Sequence, residues 1–277
     1  MDSSHTSHAF SRLLKFWRGV HKISQEALAL RLDSSARHIS FLENGRAHPS
    51  KEMVEKIANE LQLGSRDKSH LMVSAGYIPP SETVDFQSDE MKWLRNAMIM
   101  TLKSLDPYPA TLSGTHGNIL MVNKGWVGFF RQSHTQEQLN AVTNHFEFMF
   151  DLMGGEELTE NWKNTLSVVL MSLTQNVLMA DEDYPAIWHR LTSHPDLPTD
   201  WQQRAAQLEP MASYRVQISM QGQLRNFYNI SQSVGATGPN AYVSEPHLFT
   251  TTLYPEDQSE DLSGLVTDDL THPLLFY

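Results

Sequence analysis

Apolar residues in the first eighty positions recur every three or four residues, broken at short intervals by capping and turn residues, and this pattern predicts five short helices. Leu13, Phe16, Trp17 and Val20 mark a helix over Phe10–His21. Ser24 is placed to cap a second, Gln25–Leu32, which directs Leu28, Ala29 and Leu32 inward. Asp33 interrupts the pattern, and Ser34 or Ser35 caps a third helix over about Ala36–Asn44, with Ile39 and Leu42 inward and Gly45 as its stop. Pro49–Ser50 opens a fourth helix carrying Met53, Val54, Ile57, Ala58 and Leu61, and a fifth covers Arg66–Ala75. GYIPPSETVDFQ (76–87) has linker composition. The next helix, within 88–105, repeats Met91, Leu94, Met98 and Leu102 on one side. That stripe fits a core-facing helix or a dimer-forming connector between domains.

From Asp106 the period changes. Ala110–Ser113 and Ile119–Val122 flank a Gly114–Gly117 turn and read as a hairpin. Helical segments follow at Lys124–Phe130, about Asn144–Leu152, from about Glu157 to Ala180, and Asp183–Ser193. Strands return at Tyr214–Met220, Leu224–Ser231 and His247–Leu253, with a turn at Gln221–Gly222 and a longer connection through Gly235, Gly238 and Pro239. A strand pair, then helices, then three strands is the order of a PAS-like α+β fold.

Charge sharpens this division. The chain of 277 residues has a formal net charge of −11, which by itself argues against a polyanion partner. Residues 1–80 nevertheless hold 11 Lys and Arg against 8 Asp and Glu, while the remainder holds 10 against 24. A mildly basic head on an acidic body suits a head that meets a polyanion and a body that does not. With no cysteine, disulfides, thiolate metal sites and cysteine nucleophiles are excluded. The polar start MDSSHTSH lacks the apolar core of a secretory signal, and no apolar run approaches the roughly 18 residues of a membrane span. Neither HExxH, an EF-hand loop, GxSxG nor a Gly-rich phosphate loop is present, so the expectation is no enzyme, no metal and no obligatory cofactor.

SQEALALRLDSSARHISFLENGRAHPS, Ser24 to Ser50, resembles the helix-turn-helix of the phage-repressor or xenobiotic-response-element family. Ser24, Gln25, Leu28, Ala29, Ile39, Ser40, Glu43, Gly45, Arg46, Pro49 and Ser50 fill that family's pattern; Asp33 stands where Gly is usual and tolerates the same left-handed turn. The resemblance implies that the third helix enters a major groove by its N-terminal end. Ser35, Ala36, Arg37, Ser40 and Phe41 then face the bases, with His38 at the edge. Arg37 suits a bidentate contact with guanine, and Ala36 or Phe41 a thymine methyl. Gln25, Asn44 and Arg46 suit the phosphate backbone. Glu43, negative within that helix, is expected to pair with Arg18 of the first helix.

LDPYPA (105–110), the Val122–Asn123 step and LFTTTLYPEDQ (248–258) resemble the MmyB-like, or MltR-type, ligand-binding domain, with a departure through 154–172. LMVSAGYIPP (71–80) and RHISFLENGRAHPSKEMV (37–54) are also close to that subfamily. The implied fold is an all-α, five-helix, lambda-repressor-like head followed by a PAS-like α+β domain. Its expected divisions are a disordered start (1–9), the helix-turn-helix (10–78), a linker and connector (79–105), the ligand-binding domain (106–258) and an acidic tail (259–277), read as a mobile end or a strap. The implied function is transcription regulation by a cytoplasmic, bacterial-type homodimer on a double-stranded DNA operator, modulated by a small hydrophobic, fatty-acid-like ligand. Candidate pocket residues are Phe129, Phe130, Phe146, Phe148, Met149, Phe150, Trp188, Tyr214, Phe227 and Tyr228, with His145 and Arg215 to hold a carboxylate. The alternative is a sequestration module that uses the helix-turn-helix for assembly.

Overall fold

A computed structural model describes residues 3–79, 85–151, 159–180, 185–208, 215–220, 222–235 and 247–277. The chain divides into two compact units, with the break after Ser81.

The first unit is α1 (Ser3–Val20), α2 (Gln25–Arg31), α3 (Ala36–Glu43), α4 (Lys51–Glu60) and α5 (Ser65–Ser74). Serine hydroxyls open three of them: Ser24, Ser35 and Ser50 accept from the backbone N–H of Ala27, His38 and Met53. Asp33 and Gly45 take φ of 50° and 68° and turn the chain on either side of α3. The shared core holds Phe10, Leu14, Leu28, Ile39, Leu42, Ile57, Leu61 and Leu71. Ala29 is buried there too, and its methyl lets α2 pass close to α3. Ser11 Oγ donates to the Leu42 carbonyl (2.6 Å), fixing α1 on α3. α1 starts at Ser3, so residues 3–9 continue the helix instead of forming the expected disordered lead. Once Phe10 and Leu14 have seated the helix, adding residues avoids the unfavourable nucleation step.

In the second unit α6 (Lys92–Ser104) precedes β1 (Ala110–Ser113), β2 (Ile119–Val122) and α7 (Lys124–Phe130). Then come α8 (Gln136–Asn140), α9 (His145–Asp151), α10 (Glu160–Ala180), α11 (Ala186–Thr192), α12 (Trp201–Gln207), β3 (Arg215–Met220), β4 (Gln223–Val234) and β5 (Leu248–Pro255). The strands form one antiparallel sheet in the order β2-β1-β5-β4-β3, the α+β arrangement expected of a PAS-like domain.

Register sorts the sheet into two faces. Thr111 pairs with Thr251, Ser231 with Thr251, Asn229 with Leu253 and Phe227 with Val216. Opposite partners share a face, so these side chains lie together, toward a core with Trp126, Phe130, Phe148 and Trp162 from α7, α9 and α10. Ala110, Leu112, Met121 and Leu248 join a separate cluster with Leu94, Met98 and Leu102 of α6. The Met/Leu stripe of α6 is therefore core-facing, and α6 belongs to the second unit. Covered on both sides, β1 is buried at all four positions, which is why its sequence alternates weakly.

The tail is a strap, and the mobile-end reading is corrected. Leu262, Leu270 and His272 are buried. Val122 donates its N–H to the Leu274 carbonyl (3.0 Å), and His272 Nε2 lies 2.9 Å from the Leu139 carbonyl. The last residue, Tyr277, donates to Asp106 Oδ2 (2.6 Å). Apolar residues spaced through an acidic stretch suffice to anchor it.

Candidate functional site

Two places concentrate polar chemistry. In the first unit it is the N-terminal end of α3. Ser35 and Arg37 are exposed there, and His38, Ser40 and Phe41 are half-buried. Ala36 packs partly on the core. The Arg37 guanidinium sits over the Phe41 ring, 5.2 Å from its centroid, which limits the orientations of an otherwise free cation. Asn44 donates to the Ser40 carbonyl (2.8 Å), and Arg46 is exposed beside it.

Behind this surface lies a compact charge cluster. Arg18 reaches Glu43 with two nitrogens (Nε–Oε1 2.5 Å, Nη2–Oε2 3.0 Å) and the Ile23 carbonyl with the third (2.8 Å). Gln25 Nε2 donates to Glu43 Oε2 (2.7 Å), so its amide is turned toward the cluster. The Glu43 side chain is 2% exposed. Burial alone pushes its carboxyl upward, but donation from Arg18 and Gln25 outweighs this and holds it below the usual carboxylate range. Hydrogen bonding to Glu43 raises Arg18 in turn.

Two cavities of the second unit are bounded by described residues. The larger, about 750 Å³, has a mixed polar and apolar wall that carries the ion pair Arg190–Glu147 and His194 Nε2 at 3.4 Å from Asp151 Oδ1. The smaller, about 40 Å³, lies between the inner sheet face and α7, α9 and α10. The sheet supplies Thr111, Val216, Ile218, Asn229, Thr251 and Leu253, and the helices Trp126, Phe130, His145, Phe148, Met149 and Trp162. Phe148, Trp162 and Ile218 line both spaces. Loss of water pulls His145 down to about 4, so its imidazole is neutral at neutral pH. No Lys, Arg, Asp or Glu lines the inner cavity. The charged groups of the outer cleft already satisfy one another, and the lining of the inner cavity is almost wholly apolar.

Of the expected pocket residues, the structure brings Phe130, His145 and Met149 to the inner cavity, Phe150 to the outer one and Phe148 to both, while Tyr228 is exposed and lines neither. Phe129 and Phe227 pack edge-to-face at 5.3 Å within the core and line neither space. Phe146 is half-buried over Gly117. Trp188 donates its indole N–H to Thr174 Oγ1 (2.8 Å). Arg215 is bound to Glu256 (Nη2–Oε2 2.6 Å), its charge already compensated away from the cavities. Tyr214 lies outside the described residues. The sequence reading missed the cavity-lining Thr111 and Asn229, because polar inward positions on a strand become visible only after register is known, and Trp162, whose helix α10 is placed against the sheet only by docking. Among the described residues no group of three or more His, Asp or Glu side chains is placed to hold a metal, and no helix is long and apolar enough to cross a membrane.

A model of the MmyB-like transcription regulator ligand binding domain matches residues 94–262, and a helix-turn-helix model matches residues 14–67. No curated protein matches the chain.

Proposed function

The chain belongs to the family of MmyB-like transcription regulators, a DNA-binding helix-turn-helix joined to a ligand-binding domain, and from this premise we propose a sequence-specific, ligand-modulated mode of action. The N-terminal end of α3 lies in the major groove. Arg37 reads guanine, Ser35, Ser40 and Phe41 meet neighbouring base edges, and Arg46 and Asn44 meet phosphates. Gln25 completes this set through the α2 N-terminus, while its side chain steadies Glu43. The observation that carries the reading is the exposed Arg37 guanidinium, stacked on Phe41 at the groove-entering end of α3.

The regulator works in the cytoplasm as a homodimer, with half-sites one helical turn or a multiple apart. A small, fatty-acid-like hydrophobic ligand in the second unit binds one dimer geometry better than another and so shifts DNA affinity; equal affinity for both shifts nothing. Gel-shift titration on the protein's own promoter fragment tests this. Affinity is expected to fall on the order of 10³-fold between 50 and 200 mM salt, as counterion release requires. Arg37→Ala is expected to lose about 1–3 kcal/mol of discrimination at one base pair. No shift on any genomic fragment at low salt favours the sequestration module.

A further inference from the structure

α6 has a second face, turned away from its own core. Leu94, Met98 and Leu102 are buried in the cluster that includes β1 and β2 residues. On the opposite side Trp93, Asn96, Met100 and Ser104 are exposed. Trp93 and Met100 are seven positions apart, which at about 100° per residue puts them in line along the helix. Asp89 and Glu90 are exposed in the 3₁₀ turn that leads into α6, and Lys103 is exposed in its last turn. The face is therefore symmetric about its middle. From the midpoint between Asn96 and Ala97, Trp93 lies as far toward one end as Met100 toward the other. Acidic Asp89 lies about as far out as basic Lys103.

Such a face is its own complement. We propose that α6 packs antiparallel on α6 of a second copy, about a two-fold axis between Asn96 and Ala97, with Trp93 on the partner's Met100 and Asp89 beside the partner's Lys103. This rests on the homodimer reading above and assigns its surface. Each contact of a two-fold interface occurs twice. A parallel pair sets Lys103 against Lys103 and Asp89 against Asp89, like charge on like, and aligns the two helix dipoles; the antiparallel pair opposes them. The short Asn96 and Ala97 at the crossing let the backbones approach. Asp89 and Lys103 fall on the same flank of the face, Lys92 at its margin, and Glu90 on the other flank near the partner's Thr101 and Ser104. Those hydroxyls already donate within their own helix, to the Ala97 carbonyl (3.0 Å) and the Thr101 carbonyl (2.7 Å), and demand nothing from a partner. Within one chain Asp89 and Lys103 are fourteen positions apart, about 20 Å of helix, and cannot meet. Lys103 makes a cation–π contact with Tyr277 (5.8 Å) and keeps donors to spare.

The chain has no cysteine, so a single introduced one reports its own neighbours. Asn96, Asp89 and Lys103 are exposed, and substituting them leaves the core untouched. Full-length Asn96→Cys, oxidised with copper phenanthroline, is expected to run as a covalent dimer on a non-reducing gel. Lys103→Cys, whose two copies stand about 20 Å apart across the axis, is expected to stay uncrosslinked, and so is Asp89→Cys. An equal mixture of these two variants is expected to crosslink. Lys103→Glu is expected to weaken dimerisation about fivefold in sedimentation, for two exposed pairs lost. Adding Asp89→Lys to the same chain is expected to restore it. That rescue separates the contact between chains from the Tyr277 contact, which the swap does not restore. A protein that sediments as a dimer while Asn96→Cys fails to crosslink, or while Lys103→Cys crosslinks to itself, overturns the antiparallel pairing and leaves the homodimer reading standing. A chain that sediments as a monomer at every concentration overturns both.

Discussion

Glu43 is the side chain on which the polar chemistry of the first unit converges. It sits in the helix proposed to face phosphates, yet its charge is consumed by Arg18 and Gln25. Arg18→Met leaves that carboxylate buried with one neutral donor, and a loss of about 2–3 kcal/mol is expected, less than for a fully buried pair because Arg18 is 18% exposed. Thermal unfolding and gel shift of the variant check both stability and α3 placement. The pH dependence has a definite sign. Glu43 titrates in the folded state below the 4.5 of a free glutamate. Its contribution is therefore complete above that value and lost as pH falls through the lower, folded one. Glu43→Gln should flatten this acid limb in a denaturant series between pH 3 and 6; an unaltered limb assigns it to other carboxylates. The resemblance to the repressor-type helix-turn-helix made the Arg18–Glu43 pair readable in advance. The turn of Gln25 toward it was not, since two acceptors competed for one amide and only the folded distances chose.

At the scale of elements, α7 is held from both sides. Asn123 caps it, its Oδ1 accepting from Trp126 and Ala110 N–H (both 2.8 Å) while Nδ2 donates to the Tyr108 carbonyl (2.8 Å). Fully buried, it fastens β1, β2 and α7 together. On the other side the C-terminal strap passes so close that a Cβ at Gly128 would overlap the Leu265 carbonyl oxygen. Gly128→Ala is expected to cost about 1–3 kcal/mol through overpacking and to raise amide exchange across residues 262–277. Unchanged exchange there would show that α7 yields instead of the strap. Most elements were legible from periodicity and caps, α3 and α7 especially. The five-residue α8 was not, although Thr135 and Gln138 form a capping box at its start whose Thr-x-x-Gln pattern stood in the sequence. A helix of that length presents too few apolar positions for a period to emerge. The choice between strap and mobile end was not legible for a related reason: the tail's anchors are single apolar residues in an acidic stretch, and their partners are more than a hundred positions away.

For the molecule as a whole, the proposed mode of regulation brings two copies together. The side of α6 away from the sheet carries Trp93 and Met100, 66% and 74% exposed and two turns apart. Large apolar side chains so placed suit the proposed homodimer. Replacing both with Glu is expected to shift sedimentation from dimer to monomer and weaken promoter binding at least tenfold, with Tm little changed. A variant that still sediments as a dimer moves the interface elsewhere. The amino-acid order alone determined the helical head with its helix-turn-helix and the strand–helix–strand succession of the acidic body. Those features are written in local periods, caps and turn residues that each segment satisfies by itself. Which side chains share a cavity, and that Arg215 is spent on Glu256, were decided only by tertiary structure. Each depends on strand register and helix docking, where a one-residue slip turns every inward side chain outward.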